Sequence, residues 1–244
     1  MRIIIDGDIV AFMAACVIPD DTKKAIKRAD EIMTDIVESF FCDFSDVITY
    51  VKGDGNFRMD HKSYKSNRKG SVNSRPATLE AVRDHLGSTY GALAHNAEAD
   101  DYCVAEAQRC KDLGLDYVIC TIDKDLRQME GKHFNIKKGI LDCVTPEQGY
   151  DFLLQQCLTG DAADGIDGIR GIGPKSAQKI LVANPDEPEM AILEVYKAVY
   201  GEDGHRELEK CWNLVYMRRW IDELRLLPLP DVFTKGRRGV IPYG

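Results

Sequence analysis

Acid and glycine at fixed spacing set apart the stretch Gly160–Leu181, GDAADGIDGIRGIGPKSAQKIL. Asp161 and Asp164 stand three apart, a spacing that on one helical turn puts two like charges on the same face, where a cation is wanted between them. Gly171-Ile172-Gly173-Pro174-Lys175-Ser176 follows, with glycines for a turn and proline for the first position of a new helix. The start of such a helix offers unpaired N–H groups and a positive dipole end to an anion such as a phosphate. An acidic pair beside a phosphate clamp suggests metal chemistry on a nucleic-acid backbone.

The elements that must hold these residues read as α/β. Arg2–Asp6 is an apolar, β-branched run ending in acid, the pattern of a buried parallel strand with a carboxylate at its tip. Helices are expected at Ile9–Cys16 and Lys24–Phe41, a second strand at Asp46–Lys52 and a turn at Gly53-Asp54-Gly55. Residues 56–76 have no clear period and read as a basic loop or partly helical insertion. Helices are expected at Thr78–Leu86 and Asp100–Leu113, a third buried strand at Tyr117–Ile122, and short edge strands at His133–Ile136 and Ile140–Cys143. From Pro146 the chain reads as helical, over 147–158, 174–183, 189–200 and 205–220, the last with Trp212 and Trp220 in its core. The expected fold is a mostly parallel central sheet flanked by helices, over residues 1–145 with a basic arch at about 56–90. A helical region at 146–244 would carry a helix-hairpin-helix clamp at about 158–183.

In open α/β sheets, ligands gather beyond the C-terminal strand ends. Three strands bring acid there: Asp6 with Asp8, Asp54, and Asp123 with Asp125. Two clusters at helices, Glu98/Asp100/Asp101 and Asp161/Asp164, are placed to complete a ring. No histidine or cysteine recurs with them, so the ligand set is all oxygen, which suits Mg²⁺ or Mn²⁺ and disfavours zinc. Two such ions about 4 Å apart can serve an in-line attack of water on a phosphodiester with no covalent nucleophile. Each acid taken singly would serve equally well as a helix N-cap or turn former.

Composition sets the outer limits. The 244 residues are 44% hydrophobic and 30% charged, as in an ordinary globular protein. No apolar run approaches the roughly 20 residues of a membrane span. The opening MRIIIDGDIVAF is not a signal peptide, and eight cysteines without a C-x-x-C pair read as free thiols in a reducing cytoplasm. Net charge is −8, yet Arg58, Lys62, Lys65, Arg68, Lys69 and Arg75 face one acid, Asp60, within residues 58–75. That segment carries +5 and the rest −13, so a cationic clamp accompanies an acidic body.

Taken in order, IDGD at Asp6, KGDGNFR at Asp54–Arg58, YKSNR at Tyr64–Arg68, EADD at Glu98–Asp101, TIDKD at Asp123–Asp125 and GDAAD…GIGPKSA at Asp161–Ala177 resemble the 5′-nuclease family. That family takes in flap endonucleases, the 5′→3′ exonuclease domain of bacterial DNA polymerase I, and stand-alone bacteriophage 5′→3′ exonucleases, and the chain is most similar to the last. The resemblance spans about residues 3–183. It implies two metal sites, with Asp6, Asp54, Glu98, Asp100 and Asp101 at the first and Asp123, Asp125, Asp161 and Asp164 around the second. It implies that Lys65 and Arg68 steady the scissile phosphate and that Tyr64 stacks on a base or packs. Arg58 and Lys69 would add charge toward DNA, and Gly171, Gly173, Lys175 and Ser176 would hold the duplex backbone around a K⁺ ion. The implied partners are DNA 5′ ends, flaps and nicked or gapped duplex, with RNA/DNA hybrids for primer removal. The expected species is a monomer, without a membrane, in a bacterial or phage-infected cell. The chain departs from the pattern at Gly165, where the family has asparagine.

Other readings fit less of the sequence. A PIN-type ribonuclease shares an acidic α/β site but lacks the glycine hairpin. A non-catalytic DNA-end or junction binder would be expected to lose carboxylates that this chain keeps. A haloacid-type phosphatase needs a D-x-D that IDGD does not supply.

Overall fold

A computed structural model gives the arrangement, with residues 1–62, 64–66 and 75–237 described. The β-branched runs build a six-stranded sheet ordered β3-β2-β1-β4-β5-β6. In chain order these elements are β1 (Arg2–Asp6), α1 (Gly7–Val17), α2 (Thr22–Ser39), β2 (Val47–Lys52), α3 (Leu79–Tyr90) and β3 (Gly91–Ala94). Then come α4 (Ala99–Asp112), β4 (Tyr117–Thr121), β5 (Gly131–Asn135) and β6 (Ile140–Val144). All pairings are parallel except β5 with β6, so the fold is the mostly parallel α/β sheet expected. Ile3, Ile5, Val118 and Cys120 face one core with α1–α3, while Ile4 and Ile119 face the other with α4. The alternation along β1 and β4 thus buries both faces of the central strands.

The chain divides into two units. The first is the sheet unit, formed by the described parts of Met1–Phe57, Ser71–Thr145 and Met217–Arg225. The second takes the described parts of Arg58–Gly70, Pro146–Tyr216 and Leu226–Gly244. It holds α5 (Pro146–Thr159), the two-residue strands β7 (Gly160–Asp161) and β8 (Ile166–Asp167), α6 (Pro174–Ala183), α7 (Pro188–Tyr200), α8 (Gly204–Val215) and α9 (Val232–Lys235). Its core gathers Leu154, Leu158, Ile169, Ala177, Ile192, Tyr196, Leu208 and Trp212, with the Trp212 ring stacked 4.8 Å from Tyr216.

One strand was not expected, and three local expectations are corrected. Gly91–Ala94 is a strand: a GALA run carries little β signal, and its place depends on Gly91, whose missing Cβ leaves room for the Thr49 carbonyl. The strand at His133 is not an edge, since β6 covers its free side. The last long helix stops at Val215. Beyond it the backbone donors of Met217 and Arg218 go to the side chains of Gln128 (3.0 Å) and Asp101 (3.0 Å) instead of to helix carbonyls. Trp220 therefore lies outside that helix and is 39% exposed. Finally, Asp161 and Asp164 do not share a helical face: Asp161 ends β7 and Asp164 sits in the turn to β8. Gly160 and Gly168 explain the change, because the backbone crosses itself there and a Cβ on either would strike a carbonyl or amide.

Candidate functional site

β1 and β4 are neighbours in the sheet, so their C-terminal ends bring Asp6 and Thr121 into contact. The Thr121 hydroxyl donates to Asp6 Oδ2 at 2.9 Å and accepts the Asp123 N–H at 3.0 Å. Asp6 is also the N-cap of α1, its Oδ1 accepting the Ile9 N–H at 3.3 Å. The carboxylate is thus held from both sides while only 4% exposed. Burial and then the neighbouring Asp8 push its pKa up from 3.8 to about 7, with Asp123 adding to the rise against the hydrogen bond from Thr121. Asp100 belongs to the same neighbourhood. The buried Cys103 thiol, which donates to the Ile5 carbonyl, is pushed up first by its burial and then by Asp6, Asp100 and Asp8. Asp6, Asp8, Asp100 and Asp123 therefore share one anionic region at the sheet's C-terminal end.

The other acids of the first unit differ in their surroundings. Asp8 accepts from Arg83 Nε at 2.9 Å and from the Lys52 N–H at 3.1 Å, fastening α3 and β2 to α1. Asp54 is exposed on the loop after β2, and its carbonyl accepts the Asn96 N–H at 2.7 Å. Glu98 caps α4 in a reciprocal arrangement with Asp101. Asp101 itself is fully buried and has each oxygen on a backbone N–H, Oδ2 from Glu98 and Oδ1 from Arg218. Like Asp6, Asp101 thus has a hydrogen bond at each oxygen, and it ties the start of α4 to Arg218. Asp125 donates its N–H to Asp123 Oδ1 at 2.9 Å and lies 3.5 Å from Lys124 Nζ. Among the described residues no three carboxylate, histidine or cysteine side chains are gathered ready to hold a metal.

In the second unit the basic segment meets the aspartate turn. Lys65 adopts φ +50°, and its N–H donates to the Asp164 carbonyl at 2.7 Å while its ammonium lies 3.5 Å from Asp164 Oδ2. The Tyr64 hydroxyl donates to the same Oδ2 at 3.5 Å. With 2% exposure the Tyr64 ring is core, which corrects base stacking to packing. Arg58 is corrected likewise: it is 1% exposed, and its guanidinium donates to the carbonyls of Leu214 (3.1 Å) and Tyr216 (2.8 Å). Arg68 and Lys69 lie outside the described residues. Asp161 is buried and turns its Oδ1 to the Ala163 N–H at 2.9 Å. Gly165 has φ +67°, a region that glycine and asparagine enter at low cost, so the departure noted in the sequence preserves the turn.

The hairpin closes with Ile172 N–H to the Ile169 carbonyl at 3.0 Å and Gly171 at φ +86°. Gly173 caps α6 with Pro174 at its start, leaving Lys175 and Ser176 exposed on the first turn. That is the geometry of an anion-binding helix start.

No protein-family model matches the chain. It is 28% identical over 218 residues to DNA polymerase I of Caldicellulosiruptor bescii, a match covering 80% of this chain and 25% of that protein. It is 31% identical over 131 residues to flap endonuclease Xni of Shewanella baltica, half of each chain. In fold it is similar to the bacteriophage T5 D15 flap endonuclease, solved as a pseudo-enzyme–product complex with DNA and metal ions. The TM-score is 0.64 at 16% identity, over 88% of this chain and 85% of that one. In sequence the chain is similar to DNA polymerase I and flap endonuclease Xni, and in fold to the T5 enzyme. It spans a quarter to half of the two named proteins that it matches in sequence. Thr121, Arg83, Asn96 and Arg218 are the site neighbours that the sequence did not single out. Of these only Thr121, lying two residues before Asp123, carried a local signal.

Proposed function

We propose that this chain hydrolyses DNA phosphodiesters as a metal-dependent 5′→3′ exonuclease and flap endonuclease. The observation that carries the reading is Asp6, a buried carboxylate at the end of β1, held by Thr121 and the Ile9 amide, and raised in pKa by its burial and then by Asp8 and Asp123. A buried anion among anions is costly alone and is relieved by a cation, and an all-oxygen set fits a hard divalent ion such as Mg²⁺ or Mn²⁺. Asp6, Asp54, Glu98, Asp100 and Asp101 would hold one ion, and Asp123 and Asp125 would contribute to a second. Asp161 and Asp164 are proposed as ligands from their motif alone. Bound divalent ions would supply the acidity that activates water and the charge that offsets the phosphate.

The chain's own residues position and neutralise. Thr121 and the Ile9 amide fix the plane of the Asp6 carboxylate. Lys65, anchored by Asp164, supplies a cation to charge building on the scissile phosphate, with Arg68 in the same role. The first turn of α6, with Lys175 and Ser176, would hold duplex phosphates irrespective of sequence, around K⁺ at the Gly171–Gly173 turn. Lys69 would add attraction along the backbone. Products would carry 5′-phosphate and 3′-hydroxyl ends, and RNA in RNA/DNA hybrids is a proposed second substrate.

Incubation with 5′-flap, nicked and blunt duplexes labelled at either end, with Mg²⁺ and then EDTA, tests this. Release from the 5′ side that stops in EDTA is expected. Cleavage that persists in EDTA, or release from the 3′ end, would overturn it.

A further inference from the structure

We infer that Met217–Arg225 is a strap that positions the carboxylate-bearing loops of the sheet unit, with Asn96 as its clasp. This rests on the metal-dependent reading above. Asp54 lies just beyond the end of β2, where the last bond to β3 is Gly53 N–H to the Ala94 carbonyl (2.8 Å). What fixes it is Asn96. The Asn96 N–H donates to the Asp54 carbonyl (2.7 Å) and its carbonyl accepts the Phe57 N–H (3.0 Å), so one residue grips both ends of the Asp54–Phe57 loop. To do so Asn96 adopts φ +61°, an uncommon backbone state for any residue but glycine, asparagine or aspartate.

The strap secures that clasp. Asn96 Nδ2 donates to the Leu224 carbonyl at 2.9 Å, and Leu224 packs with Phe57 and Ala97. Arg218 lies 4.7 Å over the Phe57 ring and donates to the Arg225 carbonyl from Nε and Nη2, closing the strap into a loop. Its backbone N–H holds Asp101, whose other oxygen holds the Glu98 N–H. The near end is moored by Arg219, which donates to Glu130 (3.0 Å), Gln108 (3.1 Å) and the Gln128 carbonyl (2.9 Å). Nine residues remote in sequence thus reach the Asp54 loop and the start of α4 together. Asn96 and Arg218 are positioning residues, since neither need touch substrate.

The test uses the full-length chain carrying Asn96→Gly, which keeps the backbone state and removes the tie, and Arg218→Met, which keeps bulk and removes the donors. Three readouts are taken: amide hydrogen exchange over residues 53–58, Mn²⁺ affinity by calorimetry, and kcat and KM on a 5′ flap. The strap predicts faster exchange, Mn²⁺ affinity lower by roughly 10-fold, and a kcat that falls at limiting metal and recovers at high metal, with KM for DNA unchanged. Arg218→Lys should restore part of the affinity. Unchanged Mn²⁺ affinity and kcat in both folded variants would overturn the strap alone. A wild-type chain that neither binds Mn²⁺ nor cuts DNA would overturn the reading on which it rests.

Discussion

Asp6 and Asp164 are both aspartates with restricted access to water, and their neighbours are opposite. Asp6, at the end of β1, is surrounded by acids and has its pKa raised. Asp164, in the β7–β8 turn, faces the Lys65 ammonium and the Tyr64 hydroxyl. The first has hydrogen bonds from Thr121 and the Ile9 amide but no ion pair among the described residues, whereas the second is paired with a lysine. A carboxylate left among its own kind invites a cation, while one already paired must exchange its partner to hold one. Asp8 falls with the paired group, on Arg83.

The comparison breaks most visibly at Asp6. Asp6→Asn keeps a good N-cap and removes the crowded charge, so cleavage should fall by roughly 1,000-fold while the metal-free protein melts at a higher temperature above neutral pH. The pH profile follows the same sign. With its folded pKa near 7 against 3.8, Asp6 favours the fold when protonated; this contribution is full below about pH 4 and is lost as pH rises through 7. Melting curves of the metal-free protein should show that decline, and Asp6→Asn should lack it. Added Mg²⁺ should raise the wild-type melting temperature more at pH 8 than at pH 6, and an equal shift at both would count against a cation site at Asp6.

Arg58→Ala comes next, because it leaves the Leu214 and Tyr216 carbonyls buried without their donors. A loss of about 3 kcal/mol is expected by urea denaturation, where a surface DNA contact would cost nothing. Lys65→Ala, at a half-buried pair, should lower stability by no more than about 1 kcal/mol yet slow cleavage at saturating DNA, with Lys65→Arg restoring part of the rate. The smallest effect belongs to the hairpin. Lys175→Ala should weaken duplex binding at all sequences alike and reduce the salt slope by about 1, as read by anisotropy across a KCl series.

Much of the sheet was legible because its signals are local. The β-branched runs at Arg2–Asp6 and Tyr117–Thr121 bury both faces, that at Val47–Lys52 buries one and half-buries the other, all end near acid, and α1 and α2 begin on aspartate caps. The carboxylates at strand ends could be found for the same reason. What stayed hidden depends on partners far along the chain. Arg58 meets Leu214, Asp101 meets Arg218 and Asn96 meets Leu224, so a basic or acidic letter within a motif does not disclose whether its charge is spent on structure. β3 was illegible because its register depends on the absence of a side chain at Gly91 against Thr49. The aspartate spacing at 161 and 164 suggested a helix, but the backbone crossing at Gly160 and Gly168 imposes a turn.

The central claim is that the acids around Asp6 form a divalent-cation site, and calorimetric titration of Mn²⁺ into the wild-type chain and Asp6→Asn at pH 8 tests it most directly. Saturable binding by the wild type that is lost or much weakened in a folded Asp6→Asn chain is the predicted result. Equal binding by the two, or none by the wild type, would contradict it.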